Sequence, residues 1–237
     1  MKRLFYSSMV LTGVLLAAGD LYGKDAVYHW GFDEGQGNVS VESKGKLKAT
    51  LADPTKKTTW TGGKKGNALH VKGIKGVKGV GAAVLPLKGD LFMKEFTLEI
   101  WTRFDDGIRP GAFRDIIANG GEKGPGFRLT YWLRGLRVIS GDGKKIASAT
   151  SEKLNILPGV WNMIVMTYNG KKIEIFLNGQ KVCSSDFVLT KGHNKVSLGS
   201  FGYGYAYSME GALDEFRYYD YVRTDKEIIE SYQKNLL

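Results

Sequence analysis

From residue 27 onward, short apolar or alternating runs are separated by clusters of Gly, Asn, Asp and Lys, and 32 glycines punctuate the chain without a fixed repeat. Runs of this length bounded by turn residues predict strands. The clearest is 96–104, where Phe96, Leu98, Ile100, Thr102 and Phe104 share one face and Thr97, Glu99, Trp101 and Arg103 the other, so that one face must enter a core. Two Asn-Gly pairs, Asn169-Gly170 and Asn178-Gly179, carry the strongest short hairpin signal, because a type I′ turn needs positive φ at both central positions. They predict a meander of strands at 161–168, 171–177 and 180–187, with Ile173, Ile175 and Leu177 on its buried side. Further runs at 27–32, 68–71, 113–118, 127–133, 136–139, 196–198 and 213–219 bring the total to about a dozen strands, which implies two stacked sheets.

Only the last stretch has helical periodicity. Thr224, followed three residues later by Glu227, forms a capping box, and Ile228, Ile229, Tyr232 and Leu236 fall on one apolar face. The pattern therefore predicts an all-β, two-sheet antiparallel sandwich carrying a short C-terminal helix. No Pro/Ser-rich linker interrupts residues 26–237, which read as one domain.

The first residues follow a different rule. Lys2 and Arg3 precede an uncharged apolar stretch, and Ala17, Ala18 and Gly19 offer small residues for cleavage, so 1–19 read as a signal peptide. The apolar run ends at Asp20, short of the ~20 residues that span a bilayer. The expectation is a secreted, periplasmic or surface-exposed chain without a membrane span. The only cysteine, Cys183, excludes an intrachain disulfide, so stability must come from the core. With 43% hydrophobic and 12% aromatic residues the chain can build one, which excludes a disordered tail.

Without Lys2 and Arg3, 32 basic residues face 24 acidic ones, a net +8. For an exported protein this points away from nucleic acid and toward acidic glycans, acidic lipids or an anionic cell wall. Lys72, Lys75 and Lys78 recur at three-residue spacing; on extended backbone Lys72 and Lys78 share a face while Lys75 lies opposite.

Specific blocks then appear in order. Trp30 to Gly35, with Gly37, resembles the WxFDEGxG opening of the laminin-G-like (LamG) jelly rolls; Gly66 to Leu69 resembles their GNAL block, and Phe96 to Trp101 their FTIEAW strand. Trp161 with Tyr168 to Gly170, Phe176 to Gly179, Gly211 to Tyr219 (GALDEFRYY) and Thr224 to Tyr232 resemble the family's two hairpins, its last strand and its closing helix. The resemblance implies a concanavalin A-like jelly roll, a fold that carries lectins, glycosidases and adhesion modules alike.

It also implies candidate sites. Calcium takes six to eight oxygens at loop-lined rims, and Asp33 and Asp214 belong to the blocks that, in the family, bring an N-terminal strand beside the last long strand where calcium is often held. Glu42 stands where the family usually shows Asp, and is a third candidate; Lys72 stands where an Asp is common. The competing reading is that Asp33 and Asp214 accept backbone hydrogen bonds at strand ends. Glu34 and Glu215, next in sequence, are expected on the opposite faces of their strands, with Arg217 available to pair with one of them.

For ligand binding, Phe201, Tyr203, Tyr205 and Tyr207 place aromatics on a glycine-rich loop suited to stacking on sugar rings, and Lys72 and Lys78 would meet an acidic polymer. The expected function is a noncatalytic carbohydrate-binding module for an acidic or sulfated polysaccharide. Two alternatives stand beside it: a glycoside hydrolase or polysaccharide lyase, for which Glu95 and Glu99 invite attention although the intervening Thr97 is neutral, and an adhesion module that binds protein. His29, His70 and His193 lie in unrelated segments and match no zinc spacing or catalytic motif.

Overall fold

The computed structural model describes residues 24–51, 58–72, 83–105, 113–120, 124–200 and 208–236. Its elements, in chain order, begin with β1 (Tyr28–Trp30), β2 (Val39–Val41), β3 (Lys48–Leu51), β4 (Thr59–Gly62), β5 (Asn67–Lys72) and β6 (Ala83–Leu85). After a 3-10 turn at Gly89–Met93 come β7 (Phe96–Phe104), β8 (Arg114–Ala118), β9 (Phe127–Trp132), β10 (Gly135–Gly141) and β11 (Ile146–Thr150). The meander β12 (Trp161–Tyr168), β13 (Lys172–Leu177) and β14 (Gln180–Asp186) leads to β15 (Val196–Leu198), β16 (Glu210–Tyr219) and helix α1 (Asp225–Lys234).

Two antiparallel sheets form a jelly-roll sandwich. Sheet A runs β14-β13-β12-β7-β16-β5-β4, with β1 also on β16; sheet B runs β11-β10-β9-β8-β15-β6-β3-β2. The expected neighbour relation between the chain's first and last long strands holds, with Tyr28 opposite Tyr218 and Trp30 opposite Phe216. Between the sheets, Phe92 meets Phe96, Phe127 and Tyr218 edge-on with ring centroids 5.3, 5.3 and 5.8 Å apart. Edge-to-face packing of this kind adds to the stabilisation from burying the rings.

Both faces of β7 are closed, although its alternation required only one to be. Phe96, Leu98, Ile100 and Phe104 enter the main core. Trp101 lies in a second apolar cluster with Met163, Val165, Phe176 and Ile228, covered by α1. The helix keeps its capping box, and Tyr232 stacks on Trp101 at 5.9 Å. Ile228 is fully buried, but Ile229 and Leu236, expected on the same face, are 41% and 58% exposed: one turn of contact with a flat sheet reaches a narrower stripe than the sequence offered.

The hairpins divide. Asn178 and Gly179 have φ 52° and 81°, as type I′ requires, whereas at the other pair only Gly170 is left-handed, at 87°. There the Asn169 side chain instead accepts the N–H groups of Lys171 and Lys172 at 3.1 and 2.7 Å, an Asx turn that lengthens the loop.

Candidate functional site

The three acids expected at a cation site are held by backbone amides. Asp214 Oδ2 accepts the N–H groups of Lys64 and Lys65 at 2.7 and 3.1 Å, and its Oδ1 accepts that of Glu215 at 2.7 Å. Asp33 Oδ1 accepts the N–H of Asn67 at 3.0 Å, so the two aspartates grip opposite ends of the β4–β5 turn. Gly66 sits in that turn at φ 56°, where a Cβ would overlap Asp33 Oδ1; this is why the GNAL block needs glycine. Glu42 folds back on its own loop to accept the N–H groups of Lys44 and Lys46 at 3.1 and 2.9 Å.

Among the described residues no three His, Cys, Asp or Glu side chains gather into a group that could hold a metal. Asp33, Glu42 and Asp214 are not gathered into one such group, and each already accepts backbone N–H groups. The bonding seen is the one that the backbone-acceptor reading expects.

Glu215 corrects a strand-parity argument. The β16–β7 register shifts between Asp214, opposite Trp101, and Arg217, opposite Glu99, and Glu215 takes a left-handed φ of 52°. Such a bulge inserts one residue and re-aims its neighbours, so Asp214 and Glu215 both face outward from sheet A. Their environments then separate them. Burial pushes the Asp214 carboxyl up to about 7, against the pull of its amide donors. Burial also raises Glu215, but the His29 hydrogen bond and the Arg217 charge outweigh it and hold Glu215 below the usual range.

From Glu215 an ion network runs under α1. Arg217 bonds Glu215 and reaches Glu99 at 2.8 Å; Arg223 reaches Glu99 at 2.6 Å, and Ser231 Oγ donates to it at 2.9 Å. Glu99, one half of the suggested catalytic pair, is fully buried with both oxygens engaged, while Glu95 is exposed before the start of β7.

The end of the sandwich where β5 and β7 finish and β16 starts looks different. Lys72 stands opposite Glu210, the Asp105 N–H donates to the Glu210 carbonyl at 3.1 Å, and that of Met209 donates to Gly199 at 3.0 Å. His70 bonds Asp105, and Ser208 bridges to Asp115 on β8. Gly211 allows this closeness, because a Cβ there would overlap the Arg103 carbonyl. Described residues that flank 73–82, 106–112 and 201–207 therefore meet at this end of the sandwich. Phe201, Tyr203, Tyr205, Tyr207 and Lys78 lie outside the described residues; Lys72 is at the stem.

Next to these stems, the outer face of sheet B carries an arrangement that the sequence reading did not single out. Phe113 and Trp132, both half-buried, stack with centroids 5.1 Å apart and planes 8° from parallel. The Arg128 guanidinium lies 4.7 Å from the Phe113 ring centre and that of Arg137 lies 4.9 Å from Trp132. Arg128, fully buried, stands 3.5 Å from Asp115, and Arg137 donates to Ser148 Oγ at 2.9 Å. The result is a cation–ring–ring–cation row. Its signal was present: in Phe127–Trp132 the core takes Phe127, Leu129 and Tyr131, which leaves Arg128, Thr130 and Trp132 pointing outward.

Among solved structures, the binding domain of Paraclostridial Mosquitocidal Protein 1 superposes with TM-score 0.69 at 16% identity, covering 89% of this chain and 52% of that one. The botulinum neurotoxin serotype G binding domain gives 0.67 at 11%, covering 89% and 51%. Domain 4 of AbnA, a GH43 extracellular arabinanase from Geobacillus stearothermophilus solved with arabinotriose, gives 0.63 at 16%, covering 87% of this chain and 97% of that one. These likenesses are of fold, and the chain spans about half of the toxin binding domains. Pappalysin-1 of Mus musculus is 23% identical over 174 residues, which is 61% of this chain and 10% of that protein. The Laminin G 3 family model, described as Concanavalin A-like lectin/glucanases superfamily, matches residues 79–229, and the chain, with its jelly-roll sandwich and closing helix, belongs to that family.

Proposed function

We propose that the protein is a noncatalytic carbohydrate-binding module that receives its ligand on the outer face of sheet B, on the Phe113–Trp132 platform and the adjoining loop stems. One observation carries the reading: two parallel, stacked rings flanked by two guanidiniums. The partly exposed edges of the stacked rings offer apolar surface to the C–H groups of a pyranose or furanose, and the positive charge of the partly exposed Arg137 favours carboxylate or sulfate. An acidic or sulfated polysaccharide therefore suits the site better than a neutral one, in keeping with a chain of formal charge +10.

Two further points support it. The AbnA domain, whose length this chain almost wholly covers, was solved with arabinotriose, and a botulinum neurotoxin binding domain of the same fold was solved in complex with SialylT. In sequence, Phe201, Tyr203, Tyr205 and Tyr207 directly precede Ser208, which bridges to Asp115 on β8. Export of the chain belongs to the same reading; among the described residues no helix is long and apolar enough to cross a membrane.

Retention on neutral, carboxylated and sulfated polysaccharides at low and high salt tests it. Trp132→Ala should weaken retention on the preferred glycan by about thirtyfold, equivalent to ~2 kcal/mol for a central aromatic anchor. Unchanged retention in Trp132→Ala would move the site elsewhere. Retention that vanishes for every acidic polymer at high salt would reduce the binding to charge alone.

A further inference from the structure

Beside α1, on the outer face of the opposite sheet, lies a cleft of about 950 Å³, at the upper end of the size that holds a small ligand. It opens between the three-residue β1 and the flank of α1, with the largely buried Glu215, Arg217 and Tyr219 of β16 at its floor. Lys24, Lys44, Lys65 and Lys234 stand around it. The floor is rigid: the two arginines and two glutamates of the network hold one another, and the Arg223 side chain is only 9% exposed.

Two features state what such a cleft would take. Arg223 lines it, with a buried Nε–H that has no acceptor among the described residues, so its guanidinium charge is incompletely matched by hydrogen bonds. Four lysines stand against Asp25, Glu227 and Glu230, which leaves a small positive excess around a floor whose own charges cancel. Asp25, Glu230, Gln233 and Asn235, also lining the cleft, supply acceptors and amides suited to hydroxyl groups. Oxyanion and polyol chemistry together describe an acidic saccharide.

We propose that this cleft is a second, independent ligand site, specific for a carboxylate-bearing residue of a uronic acid oligosaccharide. It shares no residue with the Phe113–Trp132 platform and lies on the other sheet, so the module would hold an acidic chain at two points and gain avidity where both can be reached.

The test is titration of the ¹⁵N-labelled chain with a galacturonic acid trimer and with its neutral galactose counterpart. Saturable shifts at the amides of His29, Lys44 and Arg217 are expected with the acidic trimer alone. Lys44→Glu and Lys65→Glu, surface changes outside the ion network, should each weaken binding about fivefold or more, with melting curves confirming the fold. Trp132→Ala should leave these shifts in place, so that failure of the platform reading does not touch this one. No saturable shift below about 10 mM, the range of the weakest specific sites, would overturn the proposal. So would equal binding of the neutral trimer, or shifts unaffected by both lysine changes.

Discussion

The outer faces of the two sheets start from similar material and end differently. On sheet A the outward residues of β7 and β16 include Glu99, Trp101, Arg217 and Tyr219, and on sheet B those of β9 and β10 include Arg128, Trp132 and Arg137: charges and aromatics in alternate strand positions on both. On sheet A the chain lays α1 across them, Trp101 joins a second core, and Arg217 and Arg223 are neutralised by buried carboxylates. On sheet B, Arg128 and Arg137 flank a pair of stacked rings that remain half-buried. The difference teaches that strand alternation selects which residues face outward, while the covering segment decides whether they become scaffold or surface.

Removing the covered face's central charge should have the largest effect. Glu99→Ala leaves two arginines beside an empty position under the helix, and should cost about 3–5 kcal/mol in chemical denaturation, as for a broken buried pair. A loss below about 1 kcal/mol would mean that the network is solvated and the two faces are alike. Next, Ile228→Ala should cost roughly 2–4 kcal/mol by opening a cavity between α1 and sheet A, and hydrogen exchange should show the helix amides losing protection before those of β9 and β10.

A pH-dependent effect follows from the paired acids of β16. Asp214 binds its proton more tightly folded, at about 7, than unfolded, so between roughly pH 4 and 7 the folded state holds the extra proton and stability falls as pH rises. The slope contributed is at most about 1.4 kcal/mol per pH unit, and Asp214→Asn should abolish it in denaturation curves taken across that window. Glu215, held low, has the opposite sign: its contribution is present above the ordinary carboxylate range and is lost as pH falls through its folded value. Smallest of all should be the response to a chelator. Because the amides of the Gly63–Asn67 turn already occupy Asp33 and Asp214, excess EDTA should leave the melting temperature unchanged, and a fall of several degrees would restore the calcium reading.

Long strands were legible because each offers several periods of alternation, and the capping box because it is a local two-residue bond. Five strands, β2, β3, β4, β6 and β11, were not; with three to five residues each they carry too few periods to rise above loop composition. The pair Asp214 and Glu215 was misassigned in orientation because a bulge breaks parity without leaving a glycine to mark it. The platform was legible only in part. Outward Trp132 follows from alternation, but Phe113 belongs to a different strand entrance, and stacking of the two depends on Arg114 standing opposite Tyr131 in the β8–β9 register.

By itself the sequence determined the all-β class, the meander, the closing helix and the family, since hydrophobic periodicity and turn chemistry are local and survive without knowledge of partners. Only the tertiary structure decided that Asp33 and Asp214 hold a turn, that Glu99 is locked between two arginines, and that Phe113 meets Trp132. Each of these depends on residues brought together from distant parts of the chain, and it is their burial and register, not their identity, that sets which neighbour a charge or a ring meets.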